Sequence, residues 1–315
     1  MNRVVARFGL IVSLAMVGVV PPAVAQAPTA RENIVRTSSA TVEVLGLRSW
    51  TIAMLNDSLR KYEGYDLTTK QAHACAATLR YKLGFPDAAA IMLPGTSTSA
   101  YWLVTLVEPQ DSARVRYRKL PLDTTGGRPD WADARRMLKG QDSEGLQTWL
   151  AAHKTAGDYA VALTVLQRDS NMLDRILALH LILPFLDDDR TWTALAEGLL
   201  ESDGPVRGMA MQFLRGLTAS GKKPKDLKSI FPALHAVLDG TSQMLMPQII
   251  PLILALHPNQ EFASPLLKGG GQMLLAHAGS QNRTVRQPAL ALLAALSPKN
   301  YGRDMDQWAV WVRSL

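Results

Sequence analysis

The sequence predicts a mainly α protein, built as a small α+β domain followed by an all-α array of helical repeats. Three observations carry this. Four segments of the C-terminal half, opening at Leu173, Val206, Leu245 and Val285, carry one apolar pattern. Residues 41–122 instead mix strand-like alternation with helix-like periodicity. Between the two lies Asp123-Thr124-Thr125-Gly126-Gly127-Arg128-Pro129-Asp130, a run of turn-forming residues without apolar periodicity, which reads as a linker.

Residues 1–25 have the layout of an export signal. Arg3 and Arg7 form a basic start, Phe8–Val20 an apolar stretch, and Ala23-Val24-Ala25 a small-x-small cleavage site. The apolar stretch is short for a membrane span. The expected mature chain begins near Gln26, without a transmembrane segment. Residues 26–40 are polar and aperiodic and read as a flexible lead. The formal charge of +7 becomes +5 once Arg3 and Arg7 are removed, too mild and too dispersed to indicate a polyanion partner. Export disfavours nucleic acid. The periplasm fits best, with the extracellular space as the alternative.

From Thr41 the elements follow in order. Thr41-Val42-Glu43-Val44 alternates as a half-buried strand does, and Gly46 breaks it. Trp50–Tyr62 reads as a helix with Met54, Leu55, Leu59 and Tyr62 on one face, Ser49 or Thr51 as cap and Gly64 as terminator. A second helix, capped at Thr68 or Thr69, runs to about Leu83. It places Ala72, Cys75, Ala76, Leu79 and Leu83 on one face, so the single cysteine reads as a buried apolar residue. Ala88–Leu93 is a short apolar run, Pro94–Ser97 a turn and Tyr101–Glu108 a strand. Val115–Leu120 is expected to extend or pair with that strand.

This strand–helix–helix–strand–strand order resembles the POTRA domain of outer-membrane assembly and secretion machinery. The likeness rests on Val42-Glu43-Val44 with Gly46, on Leu79-Arg80-Tyr81-Lys82-Leu83-Gly84-Phe85, and on Leu103–Pro109 with Arg114–Tyr117. It covers about residues 40–122. No run of alternating strands for a membrane barrel follows, so the resemblance does not extend to a barrel-forming insertase.

After the linker, residues 131–315 read as helix. In the second segment the apolar positions are Val206, Ala210, Phe213, Leu214 and Leu217; in the third, Leu245, Ile249, Leu252, Ile253 and Leu256; in the fourth, Val285, Ala289, Leu292, Leu293 and Leu296. Each follows i, i+4, i+7, i+8, i+11, one stripe of an α-helix. The starts at positions 173, 206, 245 and 285 are nearly evenly spaced, and units of that period bury their stripes by stacking. Helices are expected to open near Trp131, Ser143, Asp158, Asn171, Arg190, Gly204, Lys225, Ser242, Glu261, Arg283 and Asp304. This half resembles HEAT-like repeats, most clearly at Asp203-Gly204-Pro205-Val206-Arg207 with Ala210 and at Asn282-Arg283-Thr284-Val285-Arg286 with Ala289. The resemblance implies a solenoid whose arginines tie neighbouring repeats. Leu173-Asp174-Arg175 departs from the pattern. Trp308 and Trp311 share a face of a last helix and read as the cap on the open end of the stack.

No motif for chemistry stands out. His73 and Cys75 are separated by a single residue and lack matching ligands, and the other histidines are scattered. Asp187-Asp188-Asp189 sits between helices and reads as capping. Lys222, Lys223, Lys225 and Lys228 read as a solvated loop, or as a contact for an anionic surface. Lys268-Gly269-Gly270-Gly271 lacks phosphate-loop spacing and reads as a helix break. There is no Gly-x-Ser-x-Gly. No catalytic residue, cofactor or metal is expected. The expected function is that of an exported, non-catalytic scaffold that binds another envelope protein. Tyr101, Leu103 and Thr105 are candidate contacts on a strand edge open to β-augmentation, and Arg207 and Arg286 on the helical surface. The alternatives are an enzyme with a site between the domains and a structural envelope component that binds anionic surfaces.

Overall fold

The computed structural model describes residues 33–37, 40–64, 66–67, 72–96, 99–119 and 128–315. The expected export signal, most of the lead, the caps expected at Thr68 or Thr69 and the linker as far as Gly127 lie outside them. The molecule is mainly helical, with one small mixed sheet near the N-terminus.

The sheet holds β1 (Ile34–Arg36), β2 (Ala40–Leu45), β3 (Asp87–Thr96) and β4 (Ser99–Val107), in the order β1-β2-β4-β3. β2 and β4 run parallel, and the outer pairs are antiparallel. Two helices, α1 (Ile52–Glu63) and α2 (Ala72–Tyr81), fall between β2 and β3 in the chain. β1 lies in the segment expected to be a flexible lead. It is too short to show a period, yet it pairs with β2 from Ile34↔Glu43 to Arg36↔Thr41. β3 continues through Pro94 with a register shift between Leu93 and Thr96, where a turn was expected. An outer strand tolerates the missing N–H of proline.

Both faces of this sheet are covered. Val42, Val44, Ala88, Ala90, Val104 and Leu106 pack against Leu55, Leu59, Cys75 and Leu79 of α1 and α2. The opposite face, with Glu43, Leu45, Asp87, Leu103 and Thr105, meets the helical half. That is why β3 and β4 read as nearly unbroken apolar runs, whereas β2 alternates through Glu43. Met54 and Tyr62 are 45% and 52% exposed, so only Leu55 and Leu59 of the face expected for α1 reach the core. Cys75 is fully buried, and burial pushes its thiol up to about 11.

The helical half opens with α3 (Ala132–Gly140), α4 (Ser143–Ala152), α5 (Ala156–Arg168), α6 (Met172–Ile182), α7 (Asp189–Gly198) and α8 (Gly204–Ala219). It continues with α9 (Phe231–Asp239), α10 (Met246–Ala255), α11 (Ala263–Leu267), α12 (Gln272–Ala278), α13 (Arg283–Leu296) and α14 (Met305–Arg313). The helices expected at Lys225 and at Ser242 begin later, at Phe231 and Met246, each after a short 3-10 turn. α12 was not expected; it follows the Lys268–Gly271 break, where Gly269 and Gly271 adopt φ of 72° and 77°. The helices form two rows. α6, α8, α10 and α13 neighbour one another in succession, and so do α7, α9, α12 and α14. The first row is the set that carries the four stripes. Val206, Ala210 and Leu214 are buried, as are all the stripe residues of the third and fourth segments. Phe213 is only partly buried, edge-on to His180 at 4.9 Å. Trp308 and Trp311 are buried at the end of the second row, where Trp308 Nε1 donates to the Gly302 carbonyl at 3.1 Å.

Candidate functional site

The polar chemistry of the molecule collects where the sheet meets the helical half. The contact runs along the turns that lead from the second row into the first. Glu201, Thr241 and Gln281, evenly spaced along the chain, mark three of these turns.

At the α12–α13 turn, Glu43 of β2 accepts from Ser280 Oγ at 2.6 Å and from the Gln281 N–H at 2.6 Å. Tyr101 of β4 donates to the same carboxylate at 2.7 Å. Burial, with help from Glu43, pushes the Tyr101 phenol far above its ordinary value. His277, one turn before Ser280, gives Nδ1 to the Met273 carbonyl at 2.8 Å, and burial lowers its pKa to about 4.

At the α9–α10 turn, Asp87 of β3 accepts from the Gln243 N–H at 2.9 Å and from Tyr117 Oη at 2.8 Å. Arg114 Nε lies 3.2 Å from Asp239 Oδ1, and its Nη2 donates to the Asp239 carbonyl. The Arg116 N–H donates to Thr241 Oγ1 at 2.8 Å. At the α7–α8 turn, the Arg118 N–H donates to the Leu200 carbonyl at 2.7 Å, and its guanidinium pairs with Glu201 at 3.1 Å. Glu201 also pairs with the fully buried Arg175. Burial raises the Glu201 carboxyl above its ordinary value, partly offset by Arg118 and Arg175. One turn further on, Asp174 accepts from the Arg128 N–H at 2.7 Å and from Arg135 at 2.7 Å.

Arg114–Arg118 is therefore a strap. Val115–Leu120 was expected to extend or pair with the Tyr101–Glu108 strand, but as far as Lys119 it makes no sheet pairing; the N–H groups of Arg116 and Arg118 go to the helical turns instead. Glu108 holds the start of this region. It accepts from the N–H groups of Arg48, Ser49 and Trp50 at 2.7, 3.0 and 2.9 Å. Burial opposes its charge, but these donors win and hold its carboxyl below the ordinary range.

The expected contact residues fall on this junction rather than on a free surface. β4 lies between β2 and β3, so its backbone is paired on both sides and offers no edge. Leu103 and Thr105 are buried, and Tyr101 is half-buried on Glu43. Arg207 donates to the carbonyls of Glu201 and Ser202 at 2.5 and 2.7 Å, and Arg286 to those of Ser280 and Gln281 at 2.7 and 2.9 Å. Both are partly exposed and brace equivalent turns, and Arg207 also lies 5.1 Å above the Tyr117 ring. The outer strands are the short β1 and the much longer β3. The Asp87 end of β3 lies against the turn at Gln243, whereas Met92 is 62% exposed.

Sequence reasoning missed Glu43, Asp87, Arg114 and Arg118 as junction residues. The only signal was the alternation Arg114-x-Arg116-x-Arg118, in which the first and last arginines reach consecutive turns. The acidic run Asp187–Asp189 is accounted for locally, whereas Lys222, Lys223, Lys225 and Lys228 are exposed between α8 and α9. Asp188 binds Arg190, which holds its carboxyl down to about 2, and Asp189 accepts from the N–H groups of Lys225 and Asp226 at 2.8 and 2.9 Å. The open depression of about 500 Å³ beside Pro184–Asp189 is lined by that same turn. Among the described residues no group of three or more His, Cys, Asp or Glu is placed to hold a metal ion. No helix among them is long and apolar enough to cross a membrane. Comparison with known proteins finds no matching family model, no matching curated protein and no matching solved structure.

Proposed function

We propose that this chain is an exported, non-catalytic protein–protein interaction scaffold of the bacterial cell envelope. In this reading a POTRA-like sheet domain is set on a HEAT-like helical array, and its partner is another envelope protein. The observation that carries it is β3, a long apolar strand at the outer edge of the sheet with Met92 exposed. Edge strands present unpaired backbone groups and accept an added strand from a partner. β3 takes the place of Tyr101–Glu108 as the augmentation edge, because β4 is interior. The helical array supports the reading as a large surface with a regular period.

The test is site-specific photo-crosslinking in the producing cell, with the probe at Met92 and a control probe at the exposed Gln212 of α8. The expected result is a discrete adduct with an envelope protein at Met92, reduced when Leu93 is replaced by lysine. Adducts at Gln212 but none at Met92 would reject the edge. Turnover of a cell-wall or peptide substrate, abolished by one substitution, would reject the non-catalytic reading.

A further inference from the structure

We propose that the junction between sheet and helical array is a latch that opens as a unit while both halves stay folded. Each half has its own apolar core: one between the sheet and α1/α2, one within the two helical rows. Between them lies one small apolar cluster, Leu45, Leu103 and Val285 with Leu93 and Ala276 at its margin, and Ala89 and Val107 of the same sheet face are buried as well. Around these apolar residues the junction is hydrogen bonds and ion pairs. A small, largely polar contact between two separate cores is the composition of a separable interface.

The closed junction also leaves polar atoms unmatched. Thr105 Oγ1, Asp239 Oδ2, Ser242 Oγ, Gln243 Oε1 and His277 Nε2 are buried there without a protein partner. Opening returns all five to water and so offsets part of the loss of contacts. The strap acts as a ligand held in cis. When it lifts, Arg114 leaves Asp239, and Arg118 leaves Glu201. What is uncovered is a row of turns, evenly spaced along the chain, whose Asp239 and Glu201 are met by basic residues four positions apart, Arg114 and Arg118, on an extended segment. The inference does not depend on strand addition at β3.

Hydrogen exchange of the full-length protein in sub-denaturing urea tests it. Four amides donate across the junction: those of Arg116, Arg118, Gln243 and Gln281. The expected result is one shared protection factor and one shared urea dependence for all four, at least about tenfold below the helical amides of Leu59 and Leu214. Glu43→Gln, at one end, should speed all four by a common factor, including Arg118 at the other end. Arg118→Lys should do the same to Gln281. If Glu43→Gln does not fold, the wild-type urea series decides alone. Exchange of the four amides only with global unfolding overturns the latch. So does independent exchange, with Glu43→Gln affecting Gln281 alone.

Discussion

Glu43 stands between Val42 and Val44, and in the sequence that alternation reads as a strand with its polar residue turned to water. The strand is there, but Glu43 is fully buried, because the face it points from is covered by the helical half. Nothing in the neighbouring residues distinguishes a solvated glutamate from one that docks 237 positions away. Cys75 was legible because its apolar neighbours recur at helical spacing. Its thiol should resist maleimide in the native protein and react after unfolding; rapid native labelling would contradict its burial. His277 gives a pH test. Its pKa is lowered from 6.5 to about 4, so between those values the unfolded chain binds a proton that the folded chain does not. Stability from this residue is full above about pH 6.5 and falls as pH drops towards 4, by about 3 kcal/mol in all. Denaturant melts at pH 7 and pH 4.5 should show that loss in the wild type and a smaller one in His277→Gln.

The elements of the first helical row were legible because a 3.6-residue period repeats over three turns in α8, α10 and α13. What the stripe could not show is how deep each position lies. Leu214 is buried, Phe213 partly buried and Gln212 exposed. Leu214→Ala should therefore cost about 2–5 kcal/mol and Gln212→Ala under about 0.5 kcal/mol, with Phe213→Ala between them rather than at a full core cost. A different order in urea midpoints would reject the depth assignment. α12 was not legible because it is short and follows a glycine run. Strand order was not legible because pairing between β2 and β4 is non-local. Its consequence is that Thr105→Pro removes a hydrogen bond from an interior ladder and should lower the urea midpoint of unfolding, instead of weakening only partner binding. Gly46 has φ of 97°, and an added Cβ would come within 2.0 Å of the Leu106 carbonyl oxygen. Gly46→Ala should lower stability by more than about 2 kcal/mol; a neutral effect would contradict that close approach.

At the scale of the whole molecule, the sequence announced two halves with different periods, and the structure contains both. It did not announce that the chain after β4 lies along the helical turns as a strap. Val115 and Tyr117 alternate with arginines as a strand would, and only a map of where Leu200, Thr241 and Asp239 lie in space separates strap from strand. Docking accounts for the charge pattern as well. Arg114 and Arg118 meet Asp239 and Glu201 within the chain, so they are not free to form a basic patch. The sheet domain sits on the turns of the helical array, and the pair Arg114–Asp239, 125 positions apart, reports on that docking most directly. The measurement is a double-mutant cycle of Arg114→Ala and Asp239→Ala, with the free energy of unfolding summed over all steps in urea. Docking predicts a coupling of about 1–3 kcal/mol between the two residues. Additivity within about 0.3 kcal/mol would contradict it.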